Sequence, residues 1–105
     1  MKEVTPAELK KMLDDKEDFV LIDVREPHEA EIASIGGKLI PVATVFHNLH
    51  EIPKDKKVVI HCRSGARSGS VILALEQREG YTNLYNLKGG ILAYADQVDP
   101  SLMKY

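Results

Sequence analysis

The sequence predicts a single α/β domain of three layers, in which a parallel sheet of about five strands carries helices on both faces. Two observations lead to this fold class. The apolar runs at residues 19–24 and 57–61 are nearly continuous, which is typical of strands buried on both faces. Helical patterns alternate with these runs, an order that produces parallel strands joined by crossover helices. At 105 residues, the chain is long enough to bury one core.

Local signals place the other elements. Thr5, Pro6 and Glu8 form a capping box with proline at the first helical position, which predicts a helix over residues 6–15. The further predicted elements are a helical turn at 28–32, a short strand at 38–41, a helical segment at 42–50, a helix at 66–79 that stops at Gly80, a strand at 83–87 and a short helix from 91. We expect one domain over residues 1–105, with a core at 1–97 and a tail at 98–105.

Composition argues against several classes of partner. Fourteen basic and sixteen acidic side chains give a formal charge of −2, so no general basic field attracts nucleic acid. The 6% aromatic content and the lack of tryptophan disfavour base-stacking surfaces. No apolar run approaches the roughly 20 residues that a membrane helix needs, and no signal-peptide pattern is present. We therefore expect a cytoplasmic protein without nucleic acid or membrane partners.

The candidate site centres on Cys62, the only cysteine of the chain. It follows the strand at 57–61 and precedes a helix that begins near Ala66. A loop between a strand and a helix N-terminus gathers backbone N–H groups and the positive end of the helix dipole around one point. A thiol at that point, with Arg63 and Arg67 in the same loop, is favoured as the thiolate. The pattern predicts a nucleophilic sulfur in an anion-binding loop rather than a small buried hydrophobe.

Each residue of this loop has an expected role. Gly65 permits the backbone angles of a tight anion-binding turn. Arg67, at the start of the helix, can be aimed inward at the bound anion. Arg63 is expected at the mouth, where it meets the substrate, with a solvated charge as the alternative. Ser64 and Ser68 can donate hydrogen bonds to a sulfur anion or cap the helix, and for Ser68 both interpretations stay open.

Further polar residues end the neighbouring strands. The carboxyl ends of parallel strands meet at one edge of the sheet, so Asp23 and Arg25 are expected beside the cysteine loop. We favour a structural role, in which Asp23 bonds loop amides or Arg25, over direct tuning of the loop charge. His61 points to the opposite face from its neighbour Cys62 and is expected in the core. His47 and His50 lack further ligands nearby, so no metal site is predicted.

Four segments in sequence order resemble the rhodanese family, and together they cover nearly the whole chain. They are Ile-Asp-Val-Arg-Glu at 22–26, Leu-Ile-Pro at 39–41, Cys-Arg-Ser-Gly-Ala-Arg-Ser at 62–68 and Asn-Leu-Lys-Gly-Gly-Ile at 86–91. The resemblance implies a rhodanese-like domain that transfers sulfur through a cysteine persulfide. Cys62 would be nucleophile and carrier, with the outer sulfur cradled by amides of residues 63–67. Neither a cofactor nor a general base is implied, because a thiolate attacks well and a persulfide sulfur leaves readily.

A narrower resemblance concerns residues 31–37 and 89–105. These are similar to the C-terminal rhodanese domain of fused adenylyltransferase/sulfurtransferase proteins, although Tyr94 stands where tryptophan is more common. Such proteins activate ubiquitin-like sulfur carrier proteins used in molybdopterin, thiamine or thiolated-tRNA synthesis. The implied partners are a sulfur donor, either thiosulfate or a persulfide protein, together with a sulfur carrier protein or an adenylyltransferase. We expect such a domain or a free-standing relative, which does not adenylate anything itself because it lacks a nucleotide-binding loop.

Two other functions stay open as alternatives. Cysteine-based phosphatases and arsenate reductases use a related loop with five residues between cysteine and arginine, whereas four separate Cys62 from Arg67 here. The shorter loop favours a single sulfur atom over a tetrahedral oxyanion. A non-catalytic interaction module is the other alternative, and rhodanese-like domains of that kind typically lack the cysteine.

Overall fold

Five parallel strands form the central sheet of the computed structural model, which describes all 105 residues. In chain order they are β1 (Glu3–Val4), β2 (Val20–Asp23), β3 (Lys38–Leu39), β4 (Val58–His61) and β5 (Leu84–Leu87). Their order across the sheet is β1-β5-β4-β2-β3, and every neighbouring pair is parallel. The predicted fold class is confirmed. Only β1 has no counterpart in the prediction, because two residues are too few to show a periodic pattern.

Four α-helices pack on the two faces of the sheet. They are α1 (Pro6–Asp14), α2 (Pro27–Ile32), α3 (Ala66–Glu79) and α4 (Gly90–Gln97). The capping box of α1 forms as the sequence predicts, since Glu8 N donates to Thr5 Oγ1 at 3.1 Å and Thr5 N donates to the Glu8 carboxylate at 2.8 Å. No helix in the structure combines the length and hydrophobicity needed to cross a bilayer.

The helical segment predicted at 42–50 forms as 3₁₀ rather than α-helical structure. Two 3₁₀ helices, Val42–His47 and Leu49–Glu51, occupy this segment. Side chains compete for its carbonyl groups, because Thr44 Oγ1 donates to Pro41 O at 2.9 Å and Asn48 Nδ2 donates to Thr44 O at 2.8 Å. Such local bonds favour short turns with bonds to the third residue back over a regular α-helix.

The side chains of β4 alternate between two hydrophobic clusters, one on each face of the sheet. Ile60 and Cys62 belong to the larger cluster, which includes the apolar face of α3. Val59 belongs to the smaller cluster, which is formed with α1 and α4. All four residues of β4 are buried, as expected for the central strand of a sheet covered on both faces.

The segment at 98–105, which the sequence predicts as a tail outside the core, packs back onto the domain. Val98 and Leu102 pack against the smaller hydrophobic cluster. The phenol of Tyr105 then lies within hydrogen-bond distance of Arg25 and Glu29. This contact brings the segment to the edge of the sheet where β2 and β4 end, because Asp23 and His61 are paired there.

Candidate active site

Backbone geometry directs N–H groups at the sulfur of Cys62. After β4 ends at His61, the chain turns within four residues and enters α3 at Ala66. The turn requires Gly65, whose φ of 102° lies in the left-handed region that favours glycine. The N–H groups of Gly65 and Ser68 lie 3.1 and 3.4 Å from Cys62 Sγ, and the Ser68 hydroxyl lies 3.3 Å away. Three donors thus surround one sulfur atom.

These donors outweigh the effect of burial on the thiol. Cys62 is 1% exposed, and burial by itself raises the pKa of its thiol. Hydrogen bonds from the Ser68 hydroxyl and from the N–H groups of Ser68, Gly65 and Ser64 lower that pKa, and the net shift is downward. The loop therefore stabilises the thiolate, which is the reactive form of cysteine.

Asn86 on β5 holds the inner side of the loop, a role that the sequence did not predict. Its Nδ2 donates to Gly65 O at 3.0 Å, and its Oδ1 accepts from the Ser68 hydroxyl at 2.6 Å. The single hydroxyl hydrogen of Ser68 thus has two acceptors, Asn86 Oδ1 and Cys62 Sγ. The only sequence signal was the position of Asn86 at the start of the segment 86–91.

The N-terminus of α4 holds the outer side of the loop. Ile91 N donates to Cys62 O at 3.0 Å, and Leu92 N donates to Arg63 O at 3.1 Å. This approach requires glycine at position 90, because a Cβ there would lie 2.3 Å from Arg63 O. With their carbonyl groups bonded to α4, the peptide units of the loop keep N–H groups directed at the sulfur.

Asp23 and Arg25 form a buried ion pair at the end of β2. Arg25 Nη2 lies 2.7 Å from Asp23 Oδ2, Arg25 Nε lies 3.0 Å from Asp23 Oδ1, and neither side chain is more than 2% exposed. Arg25 also donates to the carbonyl groups of Glu29 and Ala33 at 3.3 and 2.7 Å. Asp23 therefore bonds to Arg25 rather than to the loop amides. Through the bonds of Arg25 to Glu29 and Ala33, the pair links α2 to the sheet.

The expected direction of Arg67 is wrong. Its guanidinium does not point inward at an anion site but makes a two-point contact with Glu29 on α2, at 2.6 and 2.8 Å. Paired planar groups of this kind form strong charge-assisted hydrogen bonds. The contact holds the pKa of Glu29 well below its usual range and raises the pKa of Arg67. Glu29 was not predicted, because a glutamate in the first turn of a helix indicates capping.

Tyr105 contacts several of the charged residues that we call the mouth of the site, namely Arg25, Glu29, Arg63 and Arg67. Its hydroxyl accepts from Arg25 Nη1 and donates to Glu29 Oε2, each at 2.8 Å. The guanidinium of Arg63 lies over the ring, 4.9 Å from its centroid, which is a cation–π distance. The Arg63 side chain is exposed beside this ring. Ser64 and Ala66 are exposed beside it.

The His61 imidazole makes no hydrogen bond with the sulfur of Cys62. The imidazole is fully buried, and Nε2 has no hydrogen-bond partner, with Asp23 Oδ2 3.9 Å away. Burial lowers the pKa of His61, so the ring is neutral near pH 7. No three metal-ligating side chains come together in the structure.

The one sizeable cavity lies apart from Cys62. It measures about 450 Å³ and is lined by Met12, Leu13, Lys16, Glu17, Phe19, Val20, Leu21, Gly36 and Lys38. No residue of the loop at 62–68 contributes to it. The sulfur of Cys62 is instead enclosed by the donors of its own loop.

A family model supports the resemblance. The model for the rhodanese-like domain matches residues 5–97. The chain belongs to the rhodanese-like domain family. A protein of Allochromatium vinosum named sulfurtransferase is 43% identical over 94 residues, which cover 89% of this chain and 87% of that protein. Membership therefore rests on the domain as a whole and not only on the cysteine loop.

A fused relative is also similar. The probable adenylyltransferase/sulfurtransferase MoeZ of Mycobacterium tuberculosis is 36% identical over 105 residues, covering 97% of this chain. The chain spans only 26% of that protein's length. The similarity agrees with the resemblance to fused adenylyltransferase/sulfurtransferase proteins, and it concerns the rhodanese part alone.

Solved rhodanese structures share the fold. A rhodanese-like domain protein from Staphylococcus aureus superposes with a TM-score of 0.82 at 32% identity, covering 93% of this chain and 95% of that one. A rhodanese-related protein from Thermoplasma volcanium superposes with a TM-score of 0.81 at 25% identity, covering 93% and 94%. Strand order and helix placement are thus those of the family.

Proposed function

We propose that the protein is a sulfurtransferase that carries a sulfane sulfur on Cys62 as a persulfide. The observation that carries this proposal is the set of three donors, Gly65 N, Ser68 N and Ser68 Oγ, directed at one buried sulfur. Family membership and the similarity to a protein named sulfurtransferase support it. The supporting residues are those of the loop at 62–68, together with Asp23 and Arg25.

The first step is attack of the Cys62 thiolate on the outer sulfur of the donor. With thiosulfate, a new S–S bond forms to Cys62, the S–S bond of the donor breaks, and its electron pair leaves on sulfite. The charge of the Cys62 thiolate leaves with sulfite, and the transferred sulfur keeps the negative charge that it carried in thiosulfate. In this proposal, backbone N–H groups of the loop at residues 63–67 stabilise that terminal sulfur, and no proton transfer is needed.

The second step returns the cysteine to its thiolate form. A nucleophilic acceptor attacks the terminal sulfur of the persulfide, and the electron pair of the S–S bond returns to Cys62 Sγ. With cyanide as acceptor the product is thiocyanate. Neither step takes up electrons from another molecule or releases them, so the cycle needs no cofactor.

The physiological partners in this proposal are proteins. A persulfide-bearing protein is the donor, with thiosulfate as its small-molecule substitute, and an activated ubiquitin-like sulfur carrier protein is the acceptor. With this acceptor the terminal sulfur of the Cys62 persulfide is itself the nucleophile: it attacks the activated carboxyl carbon, and the activating group leaves. A thiol reductant then cleaves the acyl disulfide to the thiocarboxylate and the Cys62 thiolate. The resemblance to fused adenylyltransferase/sulfurtransferase proteins and the similarity to MoeZ support this acceptor, as in molybdopterin synthesis. A lone reactive thiol also suits a reducing compartment such as the cytoplasm.

The position of Arg67 counts against phosphatase or arsenate reductase chemistry. In that chemistry the arginine of the loop binds the oxyanion, but here its guanidinium is held by Glu29. The preserved cysteine and its donors count against a purely non-catalytic interaction module. Turnover of an aryl phosphate that vanadate blocks would support the phosphatase instead.

The test is intact mass after exposure to thiosulfate. We expect the wild-type protein to gain the mass of one sulfur atom and to lose it on addition of cyanide, with release of thiocyanate. Because Cys62 is the only cysteine, the Cys62→Ser variant should gain no sulfur while keeping the wild-type unfolding midpoint. Wild-type protein that gains no sulfur and releases no thiocyanate would contradict the proposal.

A further inference from the structure

Three guanidinium groups lie at the mouth of the site, and only one of them lacks a carboxylate partner. Arg25 is paired with Asp23, and Arg67 is paired with Glu29. Arg63 forms no salt bridge and lies over the ring of Tyr105. The mouth therefore presents a single uncompensated positive charge to an incoming donor.

We propose that Glu29 is a specificity-determining residue that selects against doubly charged sulfur donors by neutralising Arg67. The site then favours donors with one negative charge or none, such as persulfides, over a dianion such as thiosulfate. This inference rests on the proposed sulfurtransferase function. Glu29 does not touch the reacting sulfur and acts through the arginine that it holds.

The Glu29 carboxylate is fixed in its position by several donors. Arg67 contributes two hydrogen bonds, Tyr105 Oη contributes one at 2.8 Å, and Glu26 N contributes one at 3.0 Å. The Glu29 side chain is only 9% exposed. These contacts keep the carboxylate ionised and prevent the pair with Arg67 from opening freely when a donor arrives.

The charge on Arg67 acts at the reactive sulfur. Arg67 directly precedes Ser68, whose N–H and hydroxyl groups lie 3.4 and 3.3 Å from Cys62 Sγ, so its charge is carried by the loop that surrounds the reactive sulfur. An unpaired guanidinium on this loop would attract a dianion about twice as strongly as a monoanion. Glu29 cancels that attraction, and the donor preference therefore depends on a carboxylate outside the cysteine loop.

Two donors that differ in charge isolate this effect. Thiosulfate is a dianion, and methanethiosulfonate is a monoanion in which a methyl group replaces one oxygen. Both lose their outer sulfur to Cys62 by cleavage of the same kind of S–S bond, and the electron pair leaves on sulfite or on methanesulfinate. The ratio of kcat/KM for thiosulfate to kcat/KM for methanethiosulfonate therefore reports the charge at the mouth.

The decisive variant is Glu29→Gln, which keeps the shape of the side chain and removes its charge. We expect this ratio to rise about tenfold, because Arg67 becomes free to attract the dianion. Glu31→Gln is the matched control, since it makes the same change of net charge at an exposed position of α2. Its ratio should stay at the wild-type value.

The double variant Glu29→Gln with Arg67→Gln completes the test. It replaces an ion pair of zero net charge with two uncharged side chains. We therefore expect the ratio of kcat/KM for thiosulfate to kcat/KM for methanethiosulfonate to lie within about twofold of wild type. If Glu29→Gln alone does not fold, the single variant Arg67→Gln decides the matter: it leaves the Glu29 carboxylate without its guanidinium partner, so we expect the ratio to fall about tenfold, and an unchanged ratio would overturn the inference. A ratio that falls strongly in the double variant would show that Arg67 itself binds thiosulfate in the wild-type protein, and would overturn the inference.

Other outcomes separate the inference from the proposed function. If the wild-type protein takes sulfur from both donors but the ratio in Glu29→Gln is unchanged, the role of Glu29 is overturned and the sulfurtransferase function stands. Absence of wild-type transfer from either donor overturns the sulfurtransferase function and this inference with it. Alkylation of Cys62 by iodoacetate and by iodoacetamide adds a readout without turnover, and in Glu29→Gln we expect only the anionic reagent to react faster.

Discussion

The floor and the mouth of the candidate site stabilise charge in different ways. At the floor, Cys62 Sγ receives hydrogen bonds from the uncharged donors Gly65 N, Ser68 N and Ser68 Oγ. At the mouth, full charges are combined in the pairs Arg25–Asp23 and Arg67–Glu29. The floor therefore creates a stabilised anion, whereas the mouth holds its charges in compensated pairs.

This difference predicts how the floor and the mouth will respond to mutation. Loss of one neutral donor at the floor leaves the remaining donors in place and changes the reactivity of one sulfur. Loss of one partner at the mouth leaves an opposite charge buried and uncompensated, which costs stability. The variants below test this contrast, from the largest expected effect to the smallest.

The largest effect is expected for Arg25→Met. It leaves the buried Asp23 carboxylate without its guanidinium partner, and we expect a loss of about 4 kcal/mol in the free energy of unfolding. Urea denaturation measures this loss. The double variant Asp23→Asn with Arg25→Met should lose less, because no buried charge then remains. Equal losses in the single and double variants would contradict our account of the mouth.

Gly90→Ala tests the support of the floor by α4. The added Cβ would lie 2.3 Å from Arg63 O, and the backbone at position 90 has φ = 64°. We expect about 3 kcal/mol of destabilisation from this clash and the backbone strain together. Gly36→Ala is the control for strain alone, since its φ is 86° with open space around the Cβ. It should lose only about 1 kcal/mol, and equal losses in both variants would rule out the clash.

Ser68→Ala tests the floor by its pH dependence. The Ser68 hydroxyl lowers the pKa of the Cys62 thiol, so its removal should raise that pKa and shift the pH profile of Cys62 alkylation to higher pH. At pH 7 we expect alkylation by iodoacetamide to slow by about fivefold, with equal rates once both thiols are fully ionised. Ser70→Ala, at an exposed position of α3, is the control. Superimposable profiles for wild type and Ser68→Ala would contradict this role.

The smallest effect is expected for Tyr105→Phe. It removes the hydroxyl that joins Arg25 to Glu29 but keeps the ring beneath Arg63. Since both charged groups keep their main partners, we expect a loss of at most about 1 kcal/mol in urea denaturation. Tyr85→Phe is the matched control, because the hydroxyl of Tyr85 makes no hydrogen bond. A loss comparable to that of Arg25→Met would mean that Tyr105, rather than Asp23, secures the mouth.

The sequence predicted the floor of the site better than its mouth. The strand before Cys62, the glycine turn at Gly65 and the start of α3 follow from patterns within a dozen residues. Asn86 and Gly90 also support the floor, but their contacts with the loop join residues that are distant in the chain. Local patterns contain no information on such contacts, so these roles could be read only from the packed structure.

By itself, the sequence determined the parallel sheet, its covering helices and the position of a thiol at a helix N-terminus. These features depend on the spacing of apolar residues and on backbone geometry, which are local properties. Only the tertiary structure decided where Arg67 points, because its partner Glu29 lies 38 residues away. It also decided that Tyr105 reaches the mouth, 76 residues from Glu29. Long charged and polar side chains adopt many rotamers, and only a folded neighbour selects one of them.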